Sequence, residues 1–312
     1  MSAVSTTSRV KAARRGADAP RASQHHKPLT IGRVIAYVFM IGMTLVWLVP
    51  ILFALYVALR PTASTAKYGY VSLPHGGLTL QNFTDAWTNG QMLQYFINSF
   101  WITAPAVIIT LFFASAVAFV LGRVRFRGNI ALLILFTAGN LLPQQALITP
   151  LYQIFTHIPV PEFLSSSGLL YDSRFGMVVI NAAFQMGFCV FVLSNYMSTI
   201  PEEMYEASLV DGAGVWRQYW QVTLPLVRPA LAALATLLTT WIYNDFFWAT
   251  ALMSTGNKRP ITSALNNLQG QFVTNQNTIA AAALIAAIPT LIVYMLLQRH
   301  MISGLALGAT KG

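Results

Sequence analysis

The chain has 312 residues, 55% of them hydrophobic and only 9% charged, against about 25% charged in an average soluble domain, which excludes an ordinary soluble protein and points to a membrane-embedded one. The formal net charge of +10 does not make a nucleic-acid binder: seven of the nineteen basic residues (Arg9, Lys11, Arg14, Arg15, Arg21, Lys27, Arg33) lie in the first 33 positions and the rest flank apolar runs. A single cysteine, Cys189, permits neither an intrachain disulfide nor a thiolate metal site, and five histidines without ligand spacing add no metal centre.

Taken in order, residues 1–33 are polar, basic and rich in Ala and Ser, and are expected to form a disordered cytoplasmic tail. The apolar run that follows, residues 34–59, is too long for a secretory signal core of about 7–15 residues and reads as a first transmembrane helix. An extracytoplasmic loop is expected over 60–92, with turn residues Pro74, Gly76 and Gly77. Uncharged runs over 95–122, 130–156 and 175–201, a run from Pro229 to about Met253 broken only by Asp245, and a run within about 279–298 complete six spans. Backbone polar groups need internal partners in lipid, so each run is expected to be a helix. The fold class is an all-α integral membrane protein with six transmembrane helices, a core over 93–298 and a cytoplasmic tail over 299–312.

Six crossings place both termini on one side. Cytoplasmic segments then hold fourteen basic residues: the seven above with Arg123, Arg125, Arg127, Arg217, Arg228, Arg299 and Lys311. The outside holds Arg60, Lys67, Arg174, Lys258 and Arg259, so the amino terminus is expected inside. The loop over 199–228 is then cytoplasmic. It contains four of the nine acidic residues: Glu202, Glu203, Glu206 and Asp211. Thr199 and Glu202 have the spacing of a capping box that opens a helix. Gly212 and Gly214 end that helix in a sharp turn. A second short helix over 215–221 is expected to carry Trp216, Tyr219 and Trp220 at the membrane surface.

Glu206, Ala207, Ser208, Gly212, Val222, Leu224 and Pro225 stand in register with a known pattern: Glu-Ala-Ala, three residues, Gly, nine residues, Ile, one residue, Leu-Pro. Ser208 and Val222 depart from it by small changes. The chain thereby resembles the membrane subunits of ATP-binding-cassette importers, with the type I permease fold. Asn98-Ser99, the segment 123–128, Pro150-Leu151-Tyr152, Asp172-Ser173 and Trp241 with 244–248 are similar to the carbohydrate branch. The carboxyl end, 304–312, is similar to the tail of the smaller membrane subunit of the maltose importer. The resemblance implies a multi-pass protein of the cell membrane that pairs with a second, homologous membrane subunit, two ATPase subunits and an extracytoplasmic sugar-binding protein, and carries a sugar. It implies an ATPase contact through Glu206, Ala207, Ser208, Asp211, Gly212, Val222, Leu224 and Pro225, and another through Gly304, Gly308 and Lys311. ATP and Mg would sit on the partners. No lysine of this chain follows a glycine, so it contains no P-loop and is not itself expected to be an enzyme.

The alternative is a secondary transporter driven by an ion gradient, for which Asp245 is the candidate group. Sixteen residues into its span, it lies roughly 24 Å along a core of about 30 Å, away from the midplane where coupling carboxylates act. Gln144, Gln145, Asn181, Gln185, Trp241 and Asn244 are the polar or aromatic candidates for a substrate path, and each equally suits contacts between helices. The topology has a direct check. In a background lacking Cys189, an impermeant thiol reagent applied from outside should label His75→Cys and Asn257→Cys and spare Arg15→Cys and Thr310→Cys; the opposite pattern would invert the orientation.

Overall fold

The computed structural model of the protein describes residues 31–73, 75–123, 126–265 and 275–309, with side chains described to residue 296. The tail expected over 1–33 lies outside these residues, except for its last three positions, which are already helical. The chain divides into two compact units, Met1–Ile51 and Leu52–Gly312. Helix α1, Ile31–Ala58, begins in the first and ends in the second. In the first unit its side chains are exposed all round and nearly all apolar, as hydrocarbon requires. Its hydroxyl at Thr44 turns back onto the Met40 carbonyl at 2.7 Å.

The second unit is built on α4, Met92–Arg123, packed along α7, Arg174–Met197. Ala106, Thr110, Ala114 and Ala118 recur every fourth residue of α4 and all have 0% exposure. Thr110 returns its hydroxyl to the Ala106 carbonyl at 2.7 Å. Facing them in the same core are Cys189, Val190 and Leu193 of α7. In water, burying such side chains would contribute about 1.5–3 kcal/mol each. Between helices in lipid that term vanishes, and the close approach allowed by small residues carries association instead. Leu234 and Leu238 of α11, Arg228–Tyr243, close the core.

The sequence runs do not all become single helices. The run 130–156 splits into α5, Asn129–Gly139, and α6, Gln144–His157, bent by 95°. Pro143 opens α6 without an N–H, and a proline drives the residue before it out of the helical region, so the chain restarts there. The Asn140 amide, oriented to satisfy both groups, donates to the Phe184 carbonyl and accepts from the Phe188 N–H, which pins the break onto α7. The run 229–253 is likewise α11, an interruption at 244–246, and α12, Phe247–Leu252. Between α7 and α11 lie α8, Glu202–Val210, then α9, Val215–Arg217, a π-helical turn Gln218–Thr223, and α10, Leu224–Leu226. The part from Val215 to Leu226 meets α11 at 72°. Among the described residues four helices are long and apolar enough to cross a membrane, and six if each bent pair is one span. Helix α14, Gln276–Ala309, continues past the expected end near 298, so Gly304 and Gly308 lie on helix; Lys311 lies outside the described residues.

At the end of the unit opposite α8, the expected loop 60–92 is folded into α2, Thr62–Tyr68, and α3, Gln81–Thr88. Arg60, counted among the outside charges, is 0% exposed. Its guanidinium donates to the Gly69 and Tyr70 carbonyls at 2.9 and 3.0 Å and to Ser72 Oγ at 2.8 Å. Asn82 and Asn277 each donate to the Arg60 carbonyl, tying α3 and α14 to the end of α1. Helix α13, Ile261–Ala264, packs beside them, with Ile261 N–H on Ser99 Oγ at 2.8 Å.

Gly187 marks where α5 crosses α7. A Cβ there would overlap the Phe136 carbonyl oxygen and sit 3.0 Å from the Asn140 side-chain amide. Gly187→Ala should therefore destabilise the chain by about 1–3 kcal/mol through overpacking, seen as a lower thermal unfolding temperature in detergent. Gly139→Ala, where a Cβ meets nothing within 4 Å, should not.

Candidate functional site

The loop between α7 and α11 carries the sequence motif. Its first helix, α8, starts one residue after Pro201, with Glu202 and Glu203 in the first turn, where carboxylates suit the helix dipole. The expected capping box is not formed. Thr199 Oγ instead donates to the Tyr196 carbonyl at 2.8 Å, and no side chain caps α8. Pro201 explains the difference, because it forces the preceding residue out of the helix and takes the N-cap position itself. The far end follows expectation. Gly212 has φ +73°, its N–H reaches the Leu209 carbonyl and the Ala213 N–H reaches Ser208 O, both at 2.9 Å, a Schellman-type closure open to glycine at little strain.

The two faces of α8 differ. Glu206, Ala207, Asp211 and Gly212 are exposed, bordered by exposed apolar side chains of Met204, Leu209, Val210, Val215 and Trp216, with Val210 89% exposed. The buried face carries Tyr205 and Ser208. Ser208 donates to the Tyr205 carbonyl at 2.7 Å, so this motif residue serves the helix rather than the surface. Val222 and Leu224 pack against the core, and Pro225 is exposed.

Tyr205 is the residue that the sequence reading missed. Its ring lies under the Arg123 guanidinium at 4.3 Å, and its hydroxyl pairs with Thr223 Oγ at 3.2 Å. Arg123 also reaches Glu202 at 3.5 Å. That exposed ion pair is worth about 0–1 kcal/mol; the stacked ring adds a contact of about 0.5–2 kcal/mol. Tyr219, expected at the membrane surface, is instead buried and pairs with Ser115 Oγ at 2.8 Å. The wider π turn accounts for this: more residues per turn swing Tyr219 toward α4 while Trp216 and Trp220 stay exposed. An aromatic at position 205 is visible in the sequence, but its partners lie 82 and 18 residues away.

The path candidates separate. Asn181 is buried and donates to the Met177 carbonyl and to Asp245 Oδ2, at 3.0 and 3.1 Å. Asp245 accepts from the Trp248 N–H at 3.1 Å, and its carbonyl from Thr262 at 2.8 Å. The carboxylate thus clamps the interruption after α11 to α7, with Asn181 rather than the neighbouring Asn244 as partner. Asn244 turns back to the Thr240 carbonyl, and Trp241 leans on Phe188. Gln144 and Gln185 are half-buried, and Gln145 is exposed.

At the opposite end Asp172, with φ +54°, joins the start of α7 to the segment after α12. Its carboxylate accepts from the Ser254 and Thr255 N–H groups, both at 2.9 Å, from Thr255 Oγ at 2.6 Å and from Lys258 Nζ at 3.0 Å. Burial alone would raise its pKa; the Thr255 hydrogen bonds and Lys258 outweigh it and hold the carboxyl below the ordinary range. A lowered folded pKa stabilises above the unfolded value of about 3.9, and the contribution fades as pH falls through the folded value. Asp172→Asn should cost about 1.5–3 kcal/mol at neutral pH. Thermal unfolding curves of variant and wild type, measured against pH, should converge in acid.

A family profile described as "Binding-protein-dependent transport system inner membrane component" matches residues 114–306. The diacetylchitobiose uptake system permease protein NgcG of Streptomyces coelicolor is 29% identical over 279 residues, 89% of this chain and 88% of that protein. The melibiose/raffinose/stachyose import permease protein MelC of Bacillus subtilis is 29% identical over 257 residues, 81% and 90% of the two chains. Among solved structures, a chain of a bacterial ABC transporter involved in the import of the acidic polysaccharide alginate superposes with a TM-score of 0.66 at 22% identity, covering 85% of this chain and 95% of that one. The profile spans more than half of the sequence and runs from α4 through α8 and its glycine turn into α14. This chain, a multi-pass membrane protein, belongs to the family of binding-protein-dependent transport system inner membrane components.

Proposed function

We propose that the protein is the transmembrane subunit of an ATP-driven carbohydrate importer, forming half of the translocation path and receiving the stroke of a partner ATPase through α8. The complex would contain a second, homologous membrane subunit, two ATPase subunits holding ATP and Mg, and an extracytoplasmic sugar-binding protein. The Lys and Arg distribution supports a cytoplasmic α8 with both termini on that side. The relatives named for diacetylchitobiose and for melibiose, raffinose and stachyose support an oligosaccharide as substrate.

One observation carries the coupling role. Glu206, Ala207 and Gly212 of the motif lie exposed on one side of α8, inside an apolar rim, while its buried face is tied to α4 through Tyr205 and Arg123, and the following π turn through Tyr219 and Ser115. A lever needs this division: one surface for the driver and a stiff joint to the load. Closure of the ATPases on ATP would move α8, and the aromatic joint would carry the displacement into α4 and the core as a rigid-body change. Glu206 would meet a cation of the ATPase in a charge-assisted hydrogen bond. The carboxyl end, with Gly304 and Gly308 on the extension of α14 and Lys311 beyond it, is a second proposed contact. Ion coupling finds less support, because both Asp245 oxygens already hold protein donors.

The test reads copurified ATPase and sugar uptake in reconstituted complexes. Removing one partner of a buried charged pair costs about 3–5 kcal/mol, so Glu206→Ala should release ATPase and uncouple hydrolysis from uptake. Gly212→Val should do the same, since a β-branched residue resists φ +73°. Glu203→Ala, off the motif on the same helix, is the control. If all three match wild type, α8 is not the coupling element.

A further inference from the structure

Helix α6 has an exposed face that lipid cannot satisfy. At about 100° per residue, Gln145, Thr149, Tyr152, Gln153 and Thr156 fall within one sector of the helix, roughly 100° wide. The first four are exposed and Thr156 is half-buried. Leu147, Leu151 and Phe155 occupy the sector turned into the protein's own core. Ala146, Pro150 and Ile154 occupy the remaining sector, exposed and apolar, as lipid requires. The helix therefore meets three environments, and only the polar one is unaccounted for.

The side chains of Gln145, Thr149 and Gln153 make no hydrogen bond among the described residues. Many polar side chains on the other helices turn inward instead. Thr44, Thr110, Thr137, Thr239 and Thr250 each return their hydroxyl to the carbonyl four residues back, and Asn181 and Asn244 use carbonyls in the same way. Thr149 and both glutamines are held outward instead. Nearby, Pro150 has no N–H to offer the carbonyl of exposed Ala146, which leaves an acceptor beside the stripe. The same span is interrupted by the 95° bend before Gln144. Broken backbone at membrane depth is tolerated where it is buried or lines a water-filled cavity, and discontinuous helices build the solute sites of many transporters.

Two occupants fit such a face: a helix of the second membrane subunit, or water and solute. The chemistry favours the latter. A glutamine amide offers two donors and two acceptor lone pairs, and an intact helix of a partner, its backbone already paired, has few groups left to meet them. Where α4 packs along α7 it uses the small residues Ala106, Thr110, Ala114 and Ala118, not glutamines. Resting on the importer reading above, we infer that the Gln145–Thr149–Gln153 stripe lines the water-filled translocation path and hydrogen-bonds the hydroxyls of a neutral saccharide, with the exposed Tyr152 ring beside it. The stripe has no charged side chain, so it suits an uncharged solute rather than an anionic one. Of the six path candidates in the sequence, this reading keeps Gln145 on the stripe, leaves Asn181 and Asn244 as internal contacts, and adds Thr149 and Gln153.

Single cysteines in the assembled transporter, in vesicles and in a Cys189→Ala background, test this with a water-soluble methanethiosulfonate. Gln145→Cys, Thr149→Cys and Gln153→Cys should react several-fold faster than Ala146→Cys and Ile154→Cys. Whichever of melibiose, raffinose and diacetylchitobiose the transporter takes up should slow the reaction. Gln145→Leu and Gln153→Leu should each raise the uptake KM about fivefold, the factor that one hydrogen bond of about 1 kcal/mol corresponds to, with ATPase copurification unchanged. Equal labelling of all faces, or loss of the second membrane subunit in the Leu variants, would overturn the path assignment. Stripe-specific labelling without protection by a transported sugar would overturn the saccharide contact. Copurified ATPase, read on the same samples, shows separately whether the importer reading stands.

Discussion

The close approach of α4 and α7 is the contact on which the second unit depends. Inside a bilayer no hydrophobic term drives one apolar helix onto another, so association rests on packing and on hydrogen bonds that stay within the protein. Ala106, Thr110, Ala114 and Ala118 supply a seam with no side chain larger than threonine. That seam lets α7 bring Gly187 near its middle against the α5 backbone and present Asn181, six residues earlier, to Asp245. Widen the seam and both placements fail.

Polar side chains in this fold act mainly as fasteners for interrupted backbone. Asn140 holds the α5–α6 bend on α7, Asp245 holds the gap between α11 and α12, and Asp172 binds the segment after α12. Arg60, wholly buried, ties down the α2 region through carbonyl oxygens rather than a carboxylate. Each interruption frees backbone groups that lipid cannot satisfy, and each has a side chain set against it. Gln145 and Gln153 of α6 fasten nothing among the described residues.

The α8 loop follows a different logic. Its outer face is a contact surface, and its inner face is a joint made of aromatic rings: Tyr205 under Arg123, and Tyr219 against Phe119 and Ser115. Rings have few torsions, so a joint built from them loses little displacement to rotamer changes. The π turn places Tyr219 in that joint while leaving Trp216 and Trp220 on the outside.

The sequence by itself determined the membrane class, the places of the apolar runs and the position of the α8 loop with its glycine turn. Length and hydropathy depend on composition along the chain, and a positive φ at Gly212 follows from local backbone sterics, so these are properties that neighbouring residues decide among themselves. It also determined that Glu206, Ala207 and Gly212 form one motif by spacing. Only the tertiary structure decided which motif residues face outward. Ser208 and Glu206 are two residues apart on one short helix, yet one is buried and the other exposed, because Tyr205 docks onto Arg123 from the far end of α4. At Pro143 the sequence announces a kink or break, as it does at Pro105, Pro150 and Pro289, yet only the first of these ends a helix, and the break at 244–246 carries no proline at all. Proline and asparagine announce that a helix can stop, but whether it does depends on partners such as Gly187 and Asn181. Those partners become neighbours only after the helices have packed.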